Sequence, residues 1–200
     1  MKIAVLGTGV VGTTIAAKLV SQGHEVRIGS RTAGTGKFTF ADAAGWAELI
    51  FNATKGEASL NALRAAGAER IGTKILVDIA NPLDFSKGMP PTLFVKDDDS
   101  LGELIQREFP KARVVKTLNT MNSAIMVDPG RLKEEHDVFM SGNDAVAKEA
   151  VAAILKSWGW KYIRDLGDIT TARGTEMLLP IWIRLWAALG HADYNFHIAM

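Results

Sequence analysis

The sequence predicts an α/β fold built on a doubly wound, mostly parallel sheet, and three observations predict it. Short apolar runs at 3–6, 49–52 and 75–79 have the length and composition of strands buried on both faces. Stretches with apolar residues at helical spacing separate them, so strand and helix alternate along the chain. The 200 residues suffice for one well-buried core and are too few for two full domains, so 1–200 reads as a single domain.

Taken in order, Ile3 to Leu6 forms a strand, and Val11 to Val20 carries the Val, Ile, Ala and Leu spacing of a helix laid against a sheet. Gly23 stops that helix, and Glu25 to Ile28 forms a second strand. The first thirty residues are therefore a βαβ unit with a right-handed crossover. Further strands are expected at 49–52, 75–79, 114–115 and 138–140, with helices near 57–66, 100–108 and 144–157. Trp160 to Ile163 adds a last strand. A helix from about Thr171 to Leu189 follows, kinked at Pro180. Together these elements describe a Rossmann-type domain with an apolar helical extension over 170–200.

Composition limits the partners. A formal net charge of +1 without a block of like charges gives no nucleic-acid footprint and no anionic-membrane patch. The absence of cysteine removes disulfides and thiolate nucleophiles and suits a reducing compartment. Met1 and Lys2 lead directly into the first strand, so a mature cytoplasmic N-terminus is expected. The most membrane-like run, Met177 to Leu189, falls well short of the ~20 apolar residues of a spanning helix and contains Arg184.

The chemistry begins at Gly7-Thr8-Gly9-Val10-Val11-Gly12, a G-x-G-x-x-G pattern. Alone it is weak. Between a strand and a helix it has a mechanical reading: Gly7 for the tight turn, Gly9 for approach of a diphosphate to backbone, Gly12 for close helix–strand packing. The diphosphate would rest on the helix's first amides. At the end of the second strand, where an NAD site places a ribose-binding carboxylate, the chain has Gly29-Ser30-Arg31. A hydroxyl and a guanidinium suit a 2′-phosphate, so the dinucleotide is expected to be NADP. Lys37 could add charge, although a solvated lysine is the plainer reading.

In a doubly wound sheet the nicotinamide lies over the ends of the later strands. Three segments fall there: Asn52-Ala53-Thr54-Lys55, Asn81-Pro82, and Asn119-Thr120-Met121-Asn122. Each could equally be a turn held by asparagine side chains. Ala53, Thr54, Asn81, Asn119, Thr120 and Met121 are the candidate binding residues. No catalytic triad, metal-ligand cluster or carboxylate pair stands out, and His24, His136, His191 and His197 lack zinc-site spacing. No residue is singled out as catalytic.

These segments together resemble the NADPH-dependent reductases of the deazaflavin coenzyme F420 and the related cytosolic domain of six-transmembrane metalloreductases. The likeness rests on Gly7-Thr8-Gly9 with Gly12, Gly23-His24-Glu25-Val26 leading into Gly29-Ser30-Arg31, Val77-Asp78 with Asn81-Pro82, Lys116 to Thr120, and Ser141-Gly142-Asn143-Asp144. The resemblance implies that Thr8, Val10, Ser30 and Arg31 hold NADP, and that 53–54 and 119–122 surround the nicotinamide and its redox partner. It also implies a homodimer, with the C-terminal helix around Trp182 and Trp186 at the contact. A small-molecule acceptor is expected, with coenzyme F420 first. Reduction of flavin, ferric iron or a small carbonyl compound, and a non-catalytic NADP(H) redox sensor, stand as alternatives. The tryptophans at 158, 160, 182 and 186 could stack on an acceptor, but core or interface packing is the plainer reading.

Overall fold

Alternate residues of each central strand face opposite cores, and that period of two organises the molecule. The computed structural model describes residues 1–200. Strand β1 (Lys2–Leu6) sends Ile3 and Val5 into one cluster of 23 buried residues and Ala4 and Leu6 into another of 20. Two cores of nearly equal size mean that the sheet is covered on both faces, which is why its strands read as unbroken apolar runs.

The glycine turn leads from β1 into α1 (Val10–Ser21), and β2 (Glu25–Ser30) returns parallel to β1 with Ile3 opposite Val26. A short strand β3 (Lys37–Thr39) then pairs parallel to β2 at the sheet edge, and Thr39 caps α2 (Phe40–Trp46). The sequence did not announce β3 or α2, because three residues of strand and seven of helix are too short for a clear periodic signal. The chain crosses to β4 (Leu49–Asn52) on the other side of β1, then runs through α3 (Gly56–Ala66) and the single turn α4 (Ala68–Ile71) into β5 (Ile75–Asp78). A two-stranded hairpin, β6 (Leu83–Asp84) with β7 (Thr92–Leu93), stands apart from the main sheet.

Helix α5 (Leu101–Glu108) carries a capping box, in which Ser100 Oγ accepts from the Glu103 amide and donates to its carboxylate. It leads into β8 (Arg113–Thr117), parallel to β5. After β8 come α6 (Ser123–Val127), a 3-10 turn at 129–131 and β9 (Asp137–Ser141), which lies antiparallel to β8. A five-residue helix rises only ~7.5 Å and cannot carry the chain back along the sheet, so β9 starts where β8 ends. Helix α7 (Ala145–Ser157) restores a crossover, and β10 (Tyr162–Asp165) lies parallel to β9. The order is β10-β9-β8-β5-β4-β1-β2-β3.

The expected helix over 171–189 is two helices, α8 (Ala172–Met177) and α9 (Leu179–Leu189), meeting at Leu178. The break lies two residues before Pro180, whose ring sits in the first turn of α9 where its missing N–H costs nothing. Within 170–200, helix ends at Leu189 with Gly190 in the left-handed conformation. The remaining residues form an irregular tail. There the Phe196 carbonyl accepts the Asp137 amide, and the Asp137 carboxylate accepts the Ile198 amide. No helix is long and apolar enough to cross a membrane.

Candidate functional site

The sheet reverses its winding between β1 and β4. From β1 the chain moves outward through β2 to β3, and from β4 it moves the other way through β5 to β8. The loops leaving β1 and β4 therefore diverge, opening a crevice at the carboxyl ends of the two strands. Helices α1 and α3 start at this crevice without a side-chain cap, at Gly9 and Lys55. By contrast, α5 and α7 are capped by Ser100 and Asp144. Two uncapped helix starts on one crevice leave backbone N–H groups free for an anion.

The three glycines of the turn differ in what requires them. Gly7 has φ of 124°, and a Cβ there would overlap the Ala53 carbonyl; a Cβ on Gly12 would overlap the Gly7 carbonyl. Both are demanded by the chain's own packing. A Cβ on Gly9 would meet nothing within 4 Å. The chain's own packing does not require glycine there, and the backbone at that position is open to a ligand. This fits a dinucleotide.

On one side of the turn lies a cavity of about 470 Å³, lined by Gly7, Thr8, Ser30, Arg31, Thr32 and Lys37 among others. Arg31 and Lys37 are both exposed. Ser30 Oγ donates to the Thr32 carbonyl, a bond that must turn outward if the hydroxyl is to reach a ligand. The structure thus brings Lys37 into the same hollow as Arg31, a neighbour that a solvated-lysine reading had set aside.

On the other side, a cavity of about 310 Å³ is lined by Gly9, Val10, Val11, Ala53, Thr54 and Asn81, with Gly56, Ala80 and Phe85 closing it. Behind it, a hollow of about 240 Å³ shares Val11, Ile79, Asn81 and Leu83 with the first and adds Asn119, Met121, Trp182 and Ile183. The asparagines are braced against each other. Asn81 Nδ2 donates to the Asn119 carbonyl at 2.9 Å, and Asn119 Nδ2 donates to Asn81 Oδ1 at 3.1 Å and to the Thr175 carbonyl at 3.1 Å. Thr120 is buried and lines neither hollow. Across the two hollows only Lys55 and Glu57, both lining the outer one, titrate, and both are exposed.

Beneath the crevice lies a charged cluster that sequence reading missed. The Lys116 ammonium sits 2.8 Å from Asp78 Oδ2 and 2.8 Å from Glu176 Oε1, with all three side chains sealed from solvent. Lys116 also donates to the Ala80 carbonyl, and Glu176 accepts the Leu101 and Gly102 amides at 2.8 and 3.1 Å. Burial acts to lower the Lys116 pKa, but the two carboxylates outweigh it and hold the ammonium above its ordinary value. Burial pushes Glu176 up, against the pull of Lys116. Asp78 and Lys116 stand among the residues that carry the family resemblance, but nothing in their spacing marks them and Glu176 as partners. Gly56 was likewise missed: a Cβ there would overlap the Asn81 carbonyl.

The other expected residues fall elsewhere. Trp158 and Trp160 belong to the core, Trp182 lines the inner hollow, and Trp186 is exposed. His197 pairs with Asp137 at 3.0 Å and His136 is buried, so neither histidine reaches the crevice. No group of His, Cys, Asp and Glu forms a metal centre. Gly142 to Asp144 lie at the opposite end of the sheet, because β9 runs downward, and there Asp144 caps α7 and Asn143 accepts the Ile169 amide.

Residues 2–82 match the family model for NADP oxidoreductases, coenzyme F420-dependent. The chain is similar to the metalloreductase STEAP3 of Rattus norvegicus, at 31% identity over 196 residues covering 90% of the chain and 38% of that protein. It therefore spans less than half the length of that relative. Similarity to the F420-dependent NADP reductase of Methanocaldococcus jannaschii is 26% over 208 residues, covering 92% of each. A crystal structure from Arthrobacter sp. FB24, assigned to the F420-dependent NADP reductases, superposes with a TM-score of 0.97 at 59% identity, covering 100% of both chains.

Proposed function

Because the chain belongs to the coenzyme F420-dependent NADP oxidoreductase family and is an NADP-dependent oxidoreductase, we propose that it transfers hydride between NADPH and a deazaflavin of the coenzyme F420 type. The observation that carries this reading is the lining of the two adjoining hollows, in which the only titratable side chains are the exposed Lys55 and Glu57 of the outer one. Reduction of a carbonyl makes an alkoxide that needs a placed acid, whereas a deazaflavin takes hydride into a conjugated ring that tolerates the charge. Two hollows without a buried acid therefore favour the ring acceptor over a small carbonyl compound.

When bound, NADPH supplies the hydride from its nicotinamide, and the ring acceptor receives it. The chain's residues bind, orient and exclude water. Thr8, Ser30, Arg31 and Lys37, which line one hollow, would hold the 2′-phosphate and adenosine, and the free amides at the start of α1 would hold the diphosphate. Val10, Val11, Ala53, Thr54 and Asn81 would hold the nicotinamide, with Asn119 and Met121 facing the acceptor side. The balancing proton comes from solvent.

The test is an acceptor panel, following loss of nicotinamide absorbance with coenzyme F420, free flavin, ferric chelates and small ketones. Turnover with F420 at least tenfold faster than with any other acceptor is expected. Faster turnover of ketones would overturn the reading, and no turnover with any acceptor would favour a redox sensor. The chain also presents an exposed apolar face on α8 and α9, at Met177, Ile181, Trp186 and Leu189, which supports a homodimer.

A further inference from the structure

We propose that Lys116 is a positioning residue for the nicotinamide half of the site, setting the walls of the crevice through a buried charge cluster. The inference rests on the NADP reading above and adds a residue that touches neither cofactor nor acceptor. Three cavity residues, Ala80, Thr54 and Asn119, hang on this one ammonium. Lys116 donates directly to the Ala80 carbonyl, which lines the outer hollow next to Asn81. Through Asp78 it reaches Asn52, whose Nδ2 donates to Asp78 Oδ1 at 2.7 Å; Asn52 Oδ1 in turn accepts from Thr54 Oγ1 at 2.7 Å. Through Glu176 it holds α8, whose Thr175 carbonyl accepts from Asn119.

The energetics argue for placement rather than stability. One ammonium and two carboxylates, removed from water, carry a formal charge of −1 offset by the Leu101 and Gly102 amides at the start of α5. Such a cluster costs much of its attraction in desolvation, and apolar groups of the same volume commonly do as well or better for stability. What apolar groups cannot supply is direction. Lys116 donates to groups on two elements, the Asp78 carboxylate with the Ala80 carbonyl beyond β5, and Glu176 of α8. Its three protons therefore fix the end of β5, the start of α3 through Asn52, and α8 relative to one another.

The experiment compares wild type, Lys116→Met, and the triple variant Lys116→Met with Asp78→Asn and Glu176→Gln, which removes all three charges at nearly constant volume. Three quantities are read: thermal midpoint, affinity for 2′,5′-ADP, which occupies only the adenosine end, and affinity for NADPH. With the preferred acceptor, kcat and KM are read as well. The triple variant is expected to melt near wild type and to bind 2′,5′-ADP within twofold. It should bind NADPH at least fivefold more weakly and turn over at least tenfold more slowly.

Wild-type kcat and NADPH affinity in a folded triple variant would overturn the proposal, as would equal losses of 2′,5′-ADP and NADPH binding. A triple variant that does not fold would overturn it too, since the cluster would then be a stability element. The ratio of the two affinities needs no acceptor. Failure of the deazaflavin reading, seen as inactive wild type with F420, is therefore distinguishable from failure of this inference.

Discussion

At the residue scale, the site is a set of positions where the chain's own packing and a ligand make different demands. Gly9→Ala places a methyl in open space. The thermal midpoint should hold within a few degrees while NADPH affinity falls by about tenfold or more, as if one charge-assisted bond were lost. Gly12→Ala drives a methyl into the Gly7 carbonyl and should lose both folding stability and binding. Parallel calorimetry and cofactor titration separate the two, and equal behaviour would mean that Gly9 serves the fold alone.

Arg31 makes the corresponding claim for the phosphate end. With its guanidinium exposed and facing the hollow that Ser30 and Lys37 share, Arg31→Ala should weaken NADPH by about 10- to 100-fold, on the order of 1.5–3 kcal/mol for a charged bond. NADH binding should change by less than about threefold, since that dinucleotide has no phosphate for it to meet. A matched loss for both cofactors would remove the phosphate assignment. The position was legible from sequence because it lies at a fixed distance from the glycines along the chain. Lys37 became a neighbour only through the β2–β3 pairing, a tertiary fact.

At the element scale, one buried carboxylate anchors the last residues of the C-terminal tail. Asp137 accepts the Ile198 amide at 2.8 Å and pairs with Arg164 and with His197 at 3.0 Å. Burial pushes its carboxyl up, but these bonds outweigh it and hold the pKa below the ordinary carboxylate value. A depressed folded-state pKa means that this stabilisation is present above the unfolded value, about 3.9, and is lost as pH falls through the folded value. The tail should therefore stay protected at pH 5 and release only when the pH falls below the ordinary carboxylate range. Asp137→Asn should reproduce that release at neutral pH, costing about 1–3 kcal/mol. Amide exchange at 195–198 reads both, and unchanged protection in the variant would refute the anchor.

The elements themselves divide by length. Strands and helices of four or more buried residues declare themselves through periodicity, as β1, α1, β4 and β5 do. Elements β3, α2 and α6 did not, because their conformation depends on what they pair with or cap. The reversed direction of β9 follows from the short α6 and was invisible to a strand-by-strand reading, which cannot tell up from down.

At the scale of the whole molecule, ligand binding and assembly are the measurable properties. If the crevice takes NADPH, a concentration of 100 times Kd adds about 2.7 kcal/mol and raises the melting midpoint by about 5–10 °C for a chain of this size. NADH at the same concentration should raise it far less, and equal shifts would point to a site blind to the phosphate. The apolar face of α8 and α9 should bury itself against a second copy. Ile181→Glu with Trp186→Arg is expected to yield a monomer by sedimentation without lowering helix content. A wild type that is already monomeric would refute that contact.

What the sequence by itself determined is local: which runs are strands, where the turn needs glycine, and that a hydroxyl and a guanidinium stand where a ribose-binding acid is usual. Each of these depends on residues within about thirty positions of one another, so spacing along the chain preserves the information. Only the tertiary structure decided that Asp78, Lys116 and Glu176 form one buried cluster, that Asn81 and Asn119 brace each other, and that the two adjoining hollows have no buried acid. Those facts are set by strand order and helix docking, which bring distant residues within hydrogen-bonding reach, and no periodicity in a single chain records which distant positions will meet.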